Sequence, residues 1–174
     1  MKKLIIIFAF IIFGCSANND ISAQKSDGIF TLYLVRHSEK DLNSENQADP
    51  PLSECGEKRS KHLSDFLKDI DLDIIYSTNY TRTKNTALPT AQSKELEIRQ
   101  YNAQKLSDFS KVLIESKQNT LVVGHSNTTA VLAGLLVNQT HGAFDSDIYN
   151  RIYMVKFKKN KGELVLIHSD FECP

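Results

Sequence analysis

No sign of charge dominates this chain: lysine and arginine together number 21, and so do aspartate and glutamate. That balance gives no support for broad nucleic-acid binding, so any recognition of phosphate has to be local. Internal repeats and low-complexity tracts are missing. The three cysteines form no CxxC pair and no Cys/His cluster, which leaves no ligand pattern for zinc. At 174 residues the chain is too short for two ordinary domains once any targeting segment is removed. The longest apolar run, Leu4 to Phe13, is too short to span a bilayer comfortably as a helix. What is present is an ordinary globular balance, 41% apolar and 24% charged.

The N-terminus reads as an export signal. Met1-Lys2-Lys3 is basic, the apolar run follows, and Ile12-Phe13-Gly14-Cys15 closes it. The last four residues resemble the lipobox of bacterial lipoproteins, in which a small residue precedes a cysteine that is lipidated and becomes the new N-terminus. Phe13 is bulkier than that pattern usually has, and an ordinary cleaved signal with an incidental Cys15 is the alternative. The organisation is then a lipoprotein signal peptide over 1–14, a tether over 15–28 and a folded domain over 29–174. The tether, "SANNDISAQKSDG", is small and polar. Ser16, rather than Asp, follows the cysteine. By resemblance to Gram-negative sorting rules, this points to a lipid-anchored protein of the bacterial envelope, on the outer membrane facing the periplasm. Cys55 and Cys173 remain, and an oxidising compartment permits a disulfide between them. The geometry is strict, and the sequence leaves that pairing open.

Phe30 to Val35 is continuous, apolar and rich in β-branched and aromatic residues, the pattern of a buried strand. "NSENQADPPLSECG" is a loop punctuated by Pro50-Pro51. Ser53 is a predicted N-cap, with Glu54 and Glu57 in the first turn of a helix that runs to about Lys68 and buries Leu63, Phe66 and Leu67. A second strand is expected over Leu72–Tyr76. A helix over Thr81 to about Ser93 contains Pro89, which has to kink or limit it. A helix over Ser107–Ser116, a strand over Thr120–Val123 and an apolar helix over Thr128–Val137 follow. Two strands, Tyr149–Phe157 and Glu163–His168, are joined by the turn "KKNKG". The alternation predicts an α/β three-layer sandwich with a mainly parallel central sheet.

In such sheets, ligands bind beyond the carboxyl ends of the strands. Arg36 and His37 follow the first strand, Arg82 the second and His125 the third. Two arginines and two histidines on one edge suit a phosphate dianion. Arginine offers a planar fork of donors that stays charged. A neutral imidazole has a lone pair and can act as a nucleophile. The "GHSNT" turn, with Ser126, adds donors at a helix start.

These residues resemble the histidine phosphatase superfamily, which is phosphoglycerate mutase-like. The family's Arg-His-Gly-Glu motif is matched by Arg36-His37-Ser38-Glu39, with Asn43 six residues beyond the histidine. Its D-x-P-L-[ST]-x-x-G segment is matched by "DPPLSECG", Asp49 to Gly56. "STNYTRTKNTA" carries Arg82, Thr86 and Ala87 with one extra residue before the arginine, and "LVVGHSN" carries His125. The resemblance spans about residues 29 to 157. It implies a phosphoglycerate mutase-like fold and phosphomonoester hydrolysis without a cofactor or metal. It implies His37 as the nucleophile that becomes phosphohistidine. Arg36, Arg82 and His125 would complete the phosphate pocket, with Asn43 as an auxiliary donor and Ser126 as a further substrate-binding residue.

Two departures stand out. Ser38 replaces the usual Gly. Many members also place a Glu or Asp general acid about twenty residues or more beyond the second arginine. Here that region is "LEIRQYNAQKL", with Asn102 close to the expected place. Glu95, Glu97, Asp108, Asp49 and Asp41 are the other options, and the sequence does not choose among them. Without an acid, good leaving groups are expected to be favoured. The short stretch from Arg82 to His125 resembles the small phosphatase branch rather than the mutases. The substrate expected is a phosphorylated small molecule or envelope component. The competing expectation is a lipoprotein that binds a phosphorylated ligand or a partner protein without turnover.

Overall fold

The computed structural model describes residues 28–173; the signal peptide, Cys15 and nearly all of the tether lie outside the described residues. The elements in chain order are β1 (Phe30–Arg36), α1 (Glu54–Phe66), β2 (Ile74–Ser77), α2 (Thr81–Lys94), β3 (Ile98–Gln100), α3 (Leu106–Ser116), β4 (Thr120–Gly124), α4 (Thr129–Val137), β5 (Arg151–Lys158) and β6 (Lys161–His168). They build one six-stranded sheet in the order β3-β2-β4-β1-β5-β6. The first four of these strands are parallel neighbours. β5 and β6 add an antiparallel hairpin beside β1. The sheet is therefore mixed, as a mainly parallel core with a two-strand extension.

Two apolar layers sandwich it. On one face Tyr33, Val35, Ile75, Leu121 and Val123 pack with Leu63 and Leu67 of the α1 end and with Ala87 and Ala91 of α2. On the other, Phe30, Leu32, Leu34 and Val122 pack with Phe109 and Leu113 of α3 and with Leu132 and Leu136 of α4. Alternate residues of β1 feed opposite layers, which is why that strand is apolar without a break. Phe30 stacks on Phe157 with ring centroids 4.6 Å apart, tying the start of β1 to the hairpin.

Ser53 caps α1, its hydroxyl accepting from Gly56 N–H at 3.1 Å. A side chain at Gly56 would run into the carbonyl of Glu39, so the glycine lets α1 press against the segment after β1. Leu63 and Leu67 are buried as expected, but Phe66 is 41% exposed and only edges onto the Tyr33 ring. α2 continues through Pro89, which does not end it. β3 was not anticipated: three residues, two of them exposed polar, carry no apolar alternation to read.

Cys55 and Cys173 are joined in a disulfide, with Cα atoms 5.7 Å apart, settling the pairing the sequence left open. It pins the C-terminal tail beside α1. Arg59 grips the same place: its Nε donates to Glu39 Oε1 and Oε2, both at 2.9 Å, and its Nη1 to the Phe171 carbonyl at 3.0 Å.

Candidate active site

Three adjacent parallel strands, β2, β4 and β1, end at one edge of the sheet. The register pairs Ser77 with Val123 and Arg36 with Gly124. One residue further on, each strand delivers a side chain: Thr78, His125 and His37. His37 N–H donates to the Gly124 carbonyl at 2.9 Å, which holds the first histidine against the strand that presents the second. Their rings sit 5.5 Å apart, edge to face. Gly124 is required by this crowding. A Cβ there would lie 2.6 Å from the Tyr101 hydroxyl.

His37 is 4% exposed. Its Nδ1 lies 2.7 Å from the Ser38 carbonyl, an oxygen that can only accept. Nδ1 therefore carries the proton, and the lone pair is on Nε2. Burial holds its pKa down to about 3, with the charges of Arg36, Arg82 and His125 acting in the same direction. His125 is held at about 4 by burial and by Arg82 and Arg36. Both imidazoles are neutral at pH 7.

His125 is oriented by a chain of hydroxyls. Thr83 Oγ1 reaches the Tyr80 and Thr78 carbonyls at 2.8 and 3.0 Å, so its proton points to them. Thr78 Oγ1 can then donate to Thr83 Oγ1 at 3.0 Å. This leaves Thr78 Oγ1 to accept from His125 Nε2, also at 3.0 Å. Every contact is satisfied only if the His125 proton sits on Nε2. Ser38 N–H donates to Thr86 Oγ1 at 2.8 Å, and Thr86 donates to the Arg82 carbonyl. That tie joins the segment after His37 to the helix carrying Arg82. Ser38 is not among the positive-φ residues, so no glycine is required there.

A cavity of about 590 Å³ opens at this edge. Of the residues singled out from the sequence, it is lined by His37, Arg82, His125 and Ser126. Arg36 is not in its lining. Its guanidinium is buried behind, donating to the Ser146 and Ile148 carbonyls at 2.6 and 3.0 Å and stacked on Tyr149 at 3.9 Å. In this state Arg36 acts on the site through its charge rather than as a donor in the cavity. Asn43 is also outside: it is exposed in the first loop, its backbone bonded to Asp41. Arg82 does reach the cavity. It lies over the Tyr80 ring at 4.4 Å, pairs with Asp49 at 3.4 Å, and leaves its buried Nε without a partner.

The GHSNT turn contributes fewer donors than its sequence promises. His125 N–H is bonded to Thr128 Oγ1 at 3.0 Å and points away from any anion. A further wall of the cavity consists of Gln100, Tyr101, Asn102, Ala103 and Gln104, and Asn79 and Asn127 line it too. Sequence reasoning missed this wall, apart from Asn102. Among the described residues, no carboxylate lines the cavity. Of the five acidic residues considered, Asp49 contacts a lining residue, Arg82, without lining the cavity itself. It is held by Thr81 N–H at 2.9 Å and by the Thr81 hydroxyl at 2.8 Å, capping α2.

The fold and this edge define an α/β protein of the phosphoglycerate mutase-like kind. A model of the histidine phosphatase superfamily (branch 1) matches residues 32–105, which include His37 and Arg82 but stop short of His125. The chain is 44% identical over 71 residues to phosphoserine phosphatase 1 of Hydrogenobacter thermophilus; the match covers 38% of this chain and 34% of that protein. The chain thus spans about a third of the length of this curated relative. Among solved structures, it is similar to the alpha-ribazole phosphatase of Shigella flexneri, with a TM-score of 0.68 at 17% identity, covering 80% of this chain and 96% of the other. It is also similar to phosphoglycerate mutase of Bacillus anthracis, at a TM-score of 0.59 and 16% identity over 80% and 92% of the two chains. The solved structures share the fold of this chain, and the family model and the curated relative match its N-terminal part.

Proposed function

We propose that this chain is a metal-independent phosphatase that hydrolyses phosphomonoesters through a phosphohistidine on His37. The observation that carries the proposal is the His37 ring: buried, neutral, with Nδ1 tied to the Ser38 carbonyl and Nε2 left as the nucleophilic atom at the cavity. The Nε2 lone pair attacks phosphorus in line as the P–O ester bond breaks, and the leaving oxygen takes that electron pair. Water then attacks the phosphohistidine, the P–N bond breaks, and inorganic phosphate leaves with His37 restored. Arg82, with its unpartnered Nε, would stabilise charge on the equatorial oxygens; His125, whose Nε2 proton is given to Thr78, would join it only by taking a proton on Nδ1 as the anion binds.

The substrate follows from what lines the far wall. With amides there instead of a carboxylic acid, alkoxide leaving groups depart without a proton from the protein. Good leaving groups are then favoured by a factor on the order of 10²–10⁴. The neutral wall also has no carboxylate for an ammonium and no lysine for a second phosphate. The compartment proposed is the bacterial envelope, with the chain anchored through Cys15 on the outer membrane facing the periplasm and acting on a phosphorylated small molecule or envelope component. The Cys55–Cys173 disulfide is in keeping with an oxidising compartment.

The missing acid also favours a second function, an envelope protein that binds a phosphorylated ligand or partner without turnover. One experiment separates the two. Turnover of p-nitrophenyl phosphate is measured with a soluble form starting after Cys15, beside His37→Ala. Turnover that is lost in His37→Ala supports the phosphohistidine route. A folded wild type with no turnover and no labelling of His37 sinks it in favour of the binding function.

A further inference from the structure

The opposite end of the sheet carries a different chemistry. Lys156, Lys158, Lys159 and Lys161 are all exposed around the β5–β6 turn, where they line a groove of about 970 Å³. The register puts Lys156 opposite Thr31 on one side and Glu163 on the other, while Lys158 faces Lys161 directly. Lys156, Lys158 and Lys161 therefore stand on one face of the hairpin, the face that Ile152 and Met154 continue into the α1–α2 layer. α4 packs on the other face: a Cβ at Gly162 would touch the Leu136 carbonyl. The lysine face itself stays open. Like charges directly opposite on a hairpin are destabilising. Lys159 also occupies a left-handed turn position, with φ of 49°. Glu163 is the one carboxylate lining the groove, and no ion pair to the four ammoniums is found among the described residues. Such a face offers an external anion four ammoniums with little competition.

Its location selects which anion. The last β1–β5 pair is Phe30 with Phe157, so Gly28 and Ile29 leave the sheet alongside Lys158 and Lys159. Twelve residues lie between Gly28 and Cys15. Even fully extended, that stretch reaches at most about 45 Å. A reach of that length covers both ends of the sheet, and the phosphate cavity lies beyond the far end of β1, roughly 20 Å away, so it is the charge of the lysine turn beside Gly28 that selects the end facing a bilayer holding Cys15.

We propose that the lysine face of the β5–β6 hairpin is a docking surface for anionic phospholipid headgroups, which seats the body with its cavity facing away from the membrane. This rests on the lipid-anchored function proposed above. Each lysine within a Debye length of such a surface adds to attachment, and each one removed weakens it about five-fold.

The test uses the full chain as its host membrane yields it, reconstituted into vesicles of phosphatidylcholine alone or with phosphatidylglycerol. An amine-acetylating reagent is applied and lysine labelling is mapped by mass spectrometry. The expected result is several-fold protection of Lys156, Lys158, Lys159 and Lys161 on the anionic vesicles only, reversed by salt, with Lys84 and Lys111 unchanged. Equal labelling on both vesicle types, with the chain attached to both, overturns the docking surface while leaving the anchor intact. If the chain fails to attach to neutral vesicles, the anchor itself is what fails. Salt-sensitive attachment to anionic vesicles is then compared with a variant carrying glutamine at all four lysines. Attachment lost in the variant supports the lysine surface, and attachment unchanged overturns it.

Discussion

At the scale of single residues, the chemistry turns on side chains that are neutral or absent. Asn102 lines the cavity where an acid would serve alkyl substrates. Asn102→Asp is expected to raise turnover of alkyl phosphates by at least about ten-fold, with a smaller effect on aryl phosphates. A uniform change across leaving groups would show that position 102 does not face the departing oxygen. Thr78 makes a different contribution, since it accepts from His125 Nε2 and touches no leaving group in this account. Thr78→Val is expected to lower kcat about five-fold, the equivalent of one neutral hydrogen bond, with KM little changed. Thr78→Ser should restore it. If valine and serine behave alike, the hydroxyl chain does not orient His125. The two histidines were legible because a strand end followed by His is a local pattern, and Arg82, in the first turn of α2, because its motif follows the second strand. The amide wall was not, because it comes from a segment whose place is fixed by the pairing of β3 with β2, a long-range contact with no local signature. Arg36 was legible as a cation at the right edge. Only the fold shows that its Nη1 goes to the Ser146 and Ile148 carbonyls, while its buried Nε has no partner among the described residues.

At the scale of elements, the strands buried on both faces and the apolar helix were readable from continuous hydrophobic runs, and α1 from its Ser53 cap. β3 and the unbroken course of α2 through Pro89 were not, because tertiary packing overrides short-range preference there. The tail after β6 is the clearest such case. Beyond the open option of a Cys55–Cys173 bridge, "SDFEC" predicts no position, yet the disulfide, the Arg59–Phe171 contact and the His62–Asp170 contact at 3.2 Å bind it to α1. The crosslink joins residues 118 apart in sequence. In the chain-entropy account, closing a loop that long is worth about 4–5 kcal/mol, and measured gains usually fall short of that. Cys173→Ser should therefore lower the free energy of unfolding by about 2–4 kcal/mol in urea titration. Because no tail residue lines the cavity, kcat should be retained. A stability unchanged by the substitution would mean that the tail is not crosslinked in solution.

At the scale of the whole molecule, the phosphate site is a burden the fold carries. Two imidazoles, His37 buried and His125 half-buried, are held as neutral bases beside two guanidiniums, with pKa values of about 3 and about 4. Their ordinary value is near 6.5 in the unfolded chain. Because the folded values are the lower ones, the unfolded chain binds more protons below pH 6.5. The stability linked to the neutral rings is complete above that pH. It is lost as the pH falls from 6.5 towards 4 for His125 and towards 3 for His37. The loss from pH 6.5 to 5 amounts to no more than about 2 kcal/mol for His37 and to less for the half-buried His125, whose charge solvent partly screens. Most carboxylates titrate below that window, so it isolates the histidines. The urea midpoint is expected to fall between pH 7 and pH 5 in the wild type and to fall much less in a His37→Gln, His125→Gln double variant. Inorganic phosphate should offset the fall, because a bound dianion stabilises the protonated rings and the folded state together. If wild type and double variant lose stability in parallel, the rings are not held neutral. The nucleophile at Nε2 would then need a different account.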